Sequence, residues 1–195
     1  MAKLYFNYSA MNAGKSTVLL QAAYNYRERG MTVLLLKPTV DHRGPVGEIS
    51  SRIGLSAPAD LIAPDRDVKR HVLDRHKAEP LACVLIDEAQ FLSRDQVWQL
   101  ADVVDEAGIP VLCYGIRTDL RGDLFPGSAA LLAIADHLRE VRTICWCGRK
   151  ATMNARLDAE GRVVRDGAQV EIGGNERYAV LCRRHWRLGD LGPDI

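Results

Sequence analysis

Four short apolar runs recur along the first two thirds of the chain, and stretches with helical periodicity separate them. The apolar runs are Leu4–Tyr8, Thr32–Leu36, Leu81–Ile86 and Ile109–Tyr114. The predicted helices between them are Lys15–Arg29, Arg66–His76 and Arg94–Ala107. Near-continuous apolar strands that alternate with helices indicate a parallel sheet covered by helices on both faces. The pattern therefore predicts an α/β fold.

Two regions depart from this alternation. Pro38–Pro64 is rich in Gly, Pro, Ser and charged residues, a composition typical of a mobile or functional loop. After about Arg139, Cys, Gly, Arg and short β-like pieces replace the alternating pattern. We predict an α/β domain at 1–138 and a small second domain at 139–195, which is too poor in apolar residues to fold without a staple.

A hairpin is predicted near the centre of that second domain. Ala151–Leu157 and Arg162–Val164 have the character of strands, and Asp158–Gly161 between them has the character of a turn.

Composition narrows the class of protein. Apolar residues make up 47% of the 195 residues, charged residues 26%, and the net charge is +1, so no excess of positive charge points to nucleic acid. No apolar run approaches the roughly 20 residues that span a bilayer. The N-terminus enters a strand without the pattern of a signal peptide, and the five cysteines are an odd number. We expect a cytoplasmic protein with reduced thiols and no membrane or nucleic-acid partner.

A phosphate-binding loop is predicted between the first strand and the first helix. The segment Tyr8-Ser-Ala-Met-Asn-Ala-Gly-Lys-Ser16 ends in Gly14, Lys15 and Ser16. In such loops backbone N–H groups cradle phosphate oxygens, the lysine reaches the β- and γ-phosphates, and the hydroxyl is placed to bind Mg²⁺. The motif usually starts with glycine, whereas this chain has Ser9. The alternative is an ordinary strand–helix turn, but the flanking elements favour nucleotide binding.

Two adjacent carboxylates, Asp87 and Glu88, end the third predicted strand. After a phosphate loop, an acid in this position organises Mg²⁺, so Asp87 is the candidate metal-binding carboxylate. Glu88 faces the same crevice and is a candidate general base for a hydroxyl or water that attacks phosphorus. The alternative is a pair of solvated acids that cap the next helix.

Two pairs of metal-ligand residues lie in the second domain: Cys145 with Cys147, and Cys182 with His185. Together they could form the tetrahedral Cys₃His site that structural zinc prefers, although Cys-x-Cys is tighter than the usual spacing. The alternative is unpaired cysteines near a surface histidine. Cys83 and Cys113 lie in apolar strands and are expected to be inert core residues.

The chain resembles the bacterial branch of the type II, zinc-containing thymidine kinases over nearly its whole length. Its anchors are the phosphate loop, Ser50–Gly54, Asp87–Phe91, Val111–Gly115, Cys145-x-Cys147 and Ile172–Tyr178. Their order and spacing together are specific. The resemblance implies a P-loop NTPase-like parallel sheet with helices on both faces, plus a small zinc-ribbon-like domain carrying a lasso loop over the nucleoside at about 165–178.

The resemblance also implies a reaction, the transfer of the ATP γ-phosphoryl group to the 5′-hydroxyl of thymidine or deoxyuridine for DNA-precursor salvage. Glu88 matches the proton acceptor. The residues that match ATP and Mg²⁺ contacts are Ser9, Ala10, Met11, Asn12, Ala13, Gly14, Lys15, Ser16, Asp87, Glu88, Ala89 and Gln90. Zinc is implied as a structural ion and Mg²⁺ as the partner of ATP.

The nucleoside contacts follow mainly from the same resemblance. They are Met11, Leu120, Phe125, Gln169, Val170, Glu171, Ile172, Gly173 and Tyr178. Residues 169–173 match groups that read the base through the backbone, and Tyr178 matches an aromatic that packs on the nucleoside. Feedback inhibition by thymidine triphosphate and a homo-oligomer, dimer or tetramer, are further expectations. The arginine that stabilises the transition state is open among Arg52, Arg117 and Arg121.

Two other functions compete with this one. A nucleic-acid-dependent ATPase would use Asp87–Ala89 as a helicase-like acid pair, and the arginines at 177, 183, 184 and 187 are the one feature in its favour. The near-neutral charge and the absence of sequence for a second motor domain count against it. A non-catalytic nucleotide-binding regulator would not need Glu88.

Overall fold

The computed structural model describes residues 1–40, 46–169 and 177–193. The strands are β1 Leu4–Ser9, β2 Val33–Pro38, β3 Glu48–Ser50, β4 Ser56–Pro58, β5 Asp60–Ile62, β6 Cys83–Ile86, β7 Val111–Ile116, β8 His137–Glu140, β9 Met153–Leu157, β10 Val163–Val164 and β11 Tyr178–Leu181. The helices are α1 Lys15–Arg27, α2 Val68–Ala78, α3 Arg94–Ala107, α4 Pro126–Ile134 and α5 Arg183–Leu188, and Ala89–Phe91 forms a 3₁₀ turn.

Six strands form one sheet in the order β5-β2-β6-β7-β1-β8, and every pairing in it is parallel. The four strands predicted from apolar runs are β1, β2, β6 and β7, which occupy the interior of this sheet. The carboxyl ends of β1 and β6, where the predicted phosphate loop and acid pair follow, lie on the same edge. The parallel α/β sheet is confirmed.

Helices cover both faces of the sheet, as predicted. One core cluster joins alternate strand residues such as Phe6 and Ile86 to α2, α3 and α4, with Val72, Leu100 and Leu131 fully buried. The opposite faces of the same strands pack on α1 and on the β3–β4 hairpin. Burial of both faces explains why these strands are apolar without alternation.

Local signals set the bounds of the second and third helices. The Asp67 side chain accepts a hydrogen bond from Arg70 N–H at 2.8 Å, which caps α2. Ser93 and Gln96 form a reciprocal capping box at the start of α3, and Gly108 ends that helix in the left-handed conformation.

Several short strands and one helix were not predicted from the sequence. Hydrophobic period did not indicate β3, β4 and β5, which lie between Pro38 and Pro64, because strands of three residues are too short to show a period. Strand β8 was not indicated either, because its first three residues are exposed although it pairs with β1. Helix α4 begins with Pro126 at its first turn, a start signal that the periodicity search did not use.

The metal-ligand residues lie in a separate small unit, which contains β9, β10, β11 and α5 and is called the metal module below. Its sheet has the order β10-β9-β11 with antiparallel pairing, and β9 and β10 form the predicted hairpin. The apolar core of this unit is small and contains Ala155, Leu157, Leu181 and two cysteines, Cys145 and Cys182. Among the described residues no helix has the length and apolar character needed to cross a membrane.

Gly127 provides a test of the packing beneath the acid pair. A Cβ atom there would overlap Ala89 O and would lie 2.8 Å from Leu92 O, both on the backbone that follows Glu88. We expect Gly127→Ala to lower the free energy of unfolding by about 3 kcal/mol in urea titrations. The control, Gly30→Ala, meets no neighbour and should lose about 1 kcal/mol, because only its left-handed φ is affected. Equal losses in both variants would contradict this account.

Candidate active site and metal centre

The loop between β1 and α1 has the geometry of an anion cradle. Asn12 and Gly14 adopt left-handed φ values of 58° and 78°. No described residue accepts a hydrogen bond from the backbone N–H groups of Asn12, Ala13 or Gly14. Successive free N–H groups at a helix start bind phosphate oxygens well. Ser9, which replaces the usual glycine, is part of β1 and has no positive φ, so the loop turns without a glycine there.

Lys15 lies across this loop and is only 7% exposed. Its Nζ donates hydrogen bonds to Ser9 Oγ and to Ala10 O, both at 3.0 Å. Ser9 Oγ in turn donates to Ala10 O at 2.6 Å. The ammonium group is therefore held over the cradle by the two residues that begin the loop.

Asp87 lies opposite the start of α1. Its Oδ2 accepts a hydrogen bond from Ser16 Oγ at 2.8 Å, whereas its buried Oδ1 has no hydrogen-bond partner among the described residues. Burial, with a further contribution from the charge of Glu88, raises the pKa of Asp87 from 3.8 to about 7. A buried carboxylate oxygen without a partner, beside a hydroxyl, is the kind of hard oxygen donor that Mg²⁺ binds. The donor set thus fits the predicted ion.

The raised pKa of Asp87 gives the metal-free protein a pH-dependent stability. The unfolded state loses this proton near pH 3.8 and the folded state only near pH 7, so stability falls as the pH rises between these values. Asp87→Asn removes the effect. We expect its Tm to exceed that of the parent by several degrees at pH 8 and by little at pH 4, measured by calorimetry without Mg²⁺.

The control for this experiment is Asp105→Asn, at an exposed position of α3. It should shift the Tm by about one degree or less at either pH. A gain for Asp87→Asn that is equal at both pH values would contradict the raised pKa.

Glu88 is held in an unusual backbone conformation. It has a left-handed φ of 51°, and its Oε2 accepts a hydrogen bond from Gln90 Nε2 at 2.5 Å. Gln90 is 1% exposed, and its Oε1 accepts from Ile116 N–H at 3.1 Å. Strained backbone persists where the surroundings fix it. Gln90 therefore fixes the Glu88 carboxylate relative to the end of β7.

The structure describes some of the residues predicted to contact the nucleoside, and several of these lie in or near the segment that follows β7. Leu120 and Phe125 are buried in the segment after β7, and the Phe125 ring packs edge-on against Phe91 at 5.7 Å. Gln169 Nε2 donates to Asp119 Oδ2 at 3.2 Å, which brings one end of the predicted lasso to this segment. The predicted contacts Val170, Glu171, Ile172 and Gly173 lie outside the described residues.

Tyr178 begins β11 at the other end of the predicted lasso. Its hydroxyl accepts a hydrogen bond from Arg156 Nε at 3.1 Å, and the guanidinium also lies over its ring. Arg156 Nη2 donates to Ala168 O at 2.8 Å. Arg156, on β9, thus joins both ends of the lasso. Sequence reasoning missed it, since an arginine inside an apolar strand was the only signal.

The predicted metal residues form a cluster. The ligand atoms of Cys145, Cys147, Cys182 and His185 all lie within 4.8 Å of one another, and Cys145 Sγ is 3.4 Å from His185 Nδ1. Tetrahedral zinc bonds of about 2.0–2.3 Å require ligand separations of about 3.5–3.8 Å. The ligand types and their spacing fit a structural metal ion, and Cys₃His is a ligand set that structural zinc prefers.

Neighbouring groups support the cluster. The backbone N–H groups of His185 and Arg184 face Cys182 Sγ and lower the pKa of that thiol. His185 directs Nδ1 to the cluster and Nε2 toward Asp190 Oδ2 at 4.0 Å, and its ring stacks on Trp146. Such surroundings orient ligands and favour the thiolate that a metal requires.

The remaining cysteines behave as expected. Cys83 and Cys113 are buried in the central sheet, where burial raises the pKa of Cys83 to about 12 and raises that of Cys113 as well. Neither belongs to a group of potential metal ligands among the described residues.

These features define a nucleotide-binding α/β protein of the phosphate-loop class, with a Cys₃His metal module packed beside the loop. The family model for thymidine kinase matches residues 2–186. Thymidine kinases of Ruegeria pomeroyi and Jannaschia sp. are 63% and 61% identical to this chain, each over 98% of it and over 98% and 99% of their own lengths. That of Agrobacterium fabrum is 60% identical over 95% of this chain and 96% of its own. The chain belongs to the thymidine kinase family.

Proposed function

We propose that this protein transfers the γ-phosphoryl group of ATP to the 5′-hydroxyl of thymidine, and of deoxyuridine, yielding the nucleoside monophosphate and ADP. Membership of the thymidine kinase family supports the substrate class. The observation that carries the chemistry is the pair Asp87 and Glu88. One carboxylate faces Ser16 of the phosphate loop, and the other is fixed beside it by Gln90.

The phosphate loop would bind the donor. The N–H groups of residues 12–14 and the Lys15 ammonium meet phosphate oxygens, and Ser16 and Asp87 hold Mg²⁺. When bound, Mg²⁺ neutralises charge that develops on the phosphates during transfer. Lys15 exchanges its contacts to Ser9 and Ala10 for phosphate oxygens, because a charge-assisted bond to phosphate is stronger than one to a neutral oxygen.

Glu88 would accept the proton of the 5′-hydroxyl. As that oxygen forms its bond to the γ-phosphorus, the bond to the β-phosphate oxygen breaks and the proton moves to the Glu88 carboxylate. Little covalent catalysis is required, so the chief demand is orientation of both substrates. The contacts of Gln90 to Glu88 and to Ile116 N–H supply that orientation for the base.

The metal module would position the nucleoside cover. The hydrogen bonds of Arg156 to Ala168 and Tyr178, and of Gln169 to Asp119, support a lasso at about 165–178 that closes over the base. Backbone groups there read the pyrimidine edge, and Tyr178 packs on the nucleoside. Domains at 1–138 and 139–195, zinc as the structural ion, a cytoplasmic homo-oligomer (dimer or tetramer) and inhibition by thymidine triphosphate complete this proposal.

Phosphate transfer from labelled ATP to a panel of nucleosides tests the proposal. Thymidine and deoxyuridine should be phosphorylated, and uridine, deoxycytidine and deoxyadenosine should react much more slowly. ATP binding, measured with a non-hydrolysable analogue, serves as the control for folded protein. If zinc-replete protein binds ATP but phosphorylates no nucleoside, the kinase proposal fails. ATP hydrolysis stimulated by nucleic acid would then support the competing ATPase function.

A further inference from the structure

Strand β9 of the metal module carries two polar side chains that are almost completely buried. Asn154 and Arg156 are each 2% exposed, and because they are two residues apart they project from the same face of the strand. Arg156 joins the ends of the predicted lasso. The Asn154 side chain points instead to the α/β domain that contains the phosphate loop, and the proposed reaction assigns it no role.

The amide of Asn154 connects two segments of that domain. Its Oδ1 accepts a hydrogen bond from Met11 N–H, in the phosphate loop, at 2.7 Å. Its Nδ2 donates to Thr118 O, after the end of β7, at 2.8 Å. The two bonds span 143 and 36 residues of sequence, and both partners are backbone groups. The amide thus fixes the main chain of the loop rather than a side chain.

The bond to Met11 fixes where the free donors of the loop begin. Met11 N–H is directed out of the loop to Asn154, whereas the N–H groups of the next three residues have no described acceptor. The hydrogen bond from Met11 N–H is partly buried, and a backbone donor shielded from water carries a penalty of about 1–3 kcal/mol when it loses its partner. Without Asn154 the Met11 N–H would have to turn toward water or toward the cradle. Either movement would disturb the array that binds phosphate.

A second contact between the same units provides an internal comparison. Trp186 Nε1, on α5, donates to Leu120 O and to the backbone carbonyl of Asn154, each at 3.2 Å. This side chain joins the metal module to the segment after β7, but it has no hydrogen bond to the phosphate loop. It shares the cohesive role of Asn154 and lacks the contact to Met11.

We propose that Asn154 is a positioning residue for the phosphate loop, supplied by the metal module, and that it sets the affinity for the triphosphate. The proposal rests on the proposed nucleotide site, although not on the identity of the nucleoside. The fold of the metal module is therefore needed for binding ATP as well as for covering the nucleoside.

The test measures binding of Mg²⁺ and the non-hydrolysable analogue AMP-PNP by calorimetry, with thermal unfolding in parallel. Asn154→Ala removes both bonds, and Asn154→Leu removes them while keeping the branched shape that fills the site. Trp186→Phe is the matched control. We expect both Asn154 variants to bind AMP-PNP about tenfold more weakly, because they lose the partly buried hydrogen bond to the phosphate loop. Trp186→Phe should lose Tm but keep AMP-PNP affinity within about twofold.

The kinetic pattern separates positioning from stability. In the Asn154 variants KM for ATP should rise more than KM for thymidine, a division that general loosening of the fold would not produce. AMP-PNP affinity within twofold of the parent in folded Asn154→Leu would overturn the proposal. So would an equal loss in Trp186→Phe, or failure of both Asn154 variants to fold at 10 °C. Because binding is measured without a nucleoside, the result is independent of whether thymidine is the substrate.

Discussion

Replacing Glu88 with glutamine should lower kcat for nucleoside phosphorylation by about 10²–10⁴-fold, the usual contribution of a general base. Glutamine keeps the size of the side chain and can still accept the hydrogen bond from Gln90, but it cannot take up the hydroxyl proton. The carboxylate that faces Ser16 is untouched. Affinity for ATP should therefore stay within about twofold, since only a transition-state interaction is lost.

The measurement combines formation of labelled thymidine monophosphate with calorimetric binding of AMP-PNP. Glu106→Gln is the control. Glu106 is an exposed residue of α3 that forms a salt bridge with Lys69 of α2, away from the site. It should keep full activity. Retained activity in Glu88→Gln would remove Glu88 as the base, and lost ATP binding would place it in donor binding instead. A regulator without catalysis would show no phosphoryl transfer in any variant, the parent included.

Removing the metal should have the second large effect, a loss of order in the small unit around β9. A structural zinc ion contributes binding free energy of about 10 kcal/mol or more, whereas the apolar core of this unit consists mainly of small residues. Chelation, or Cys182→Ala, should greatly weaken thymidine binding, because the lasso is joined to β9 by Arg156. ATP binding should weaken less, through the single amide of Asn154.

Metal content by atomic emission, together with separate titrations of AMP-PNP and thymidine, checks this expectation. Cys83→Ala is the matched control, since Cys83 is also buried but lies in β6, outside the cluster. It should lose stability and keep one metal ion per chain. Equal weakening of both ligands after chelation, or no weakening of either, would contradict the assigned role of the module.

The long apolar strands and the motifs at their ends could be predicted from the sequence. Burial of both faces of a parallel sheet leaves a continuous apolar run, and α3 carries its own capping box and terminal glycine. Placement of Asp87 opposite Ser16 also followed, because the carboxyl ends of β1 and β6 must share one edge. The Cys₃His cluster was predictable since metal ligands come from a small set of residue types at short spacings.

Only the tertiary structure revealed how these parts are held in place. The roles of Asn154 and Arg156 depend on contacts across more than a hundred residues to Met11 and across the lasso to Tyr178, which no local pattern encodes. Likewise, the orientation of Glu88 by Gln90 requires the end of β7 as a third partner. Sequence thus determined which chemistry the chain carries, since reactive groups follow local motifs. Folding decided their geometry, because buried polar side chains must find hydrogen-bond partners wherever the packing provides them.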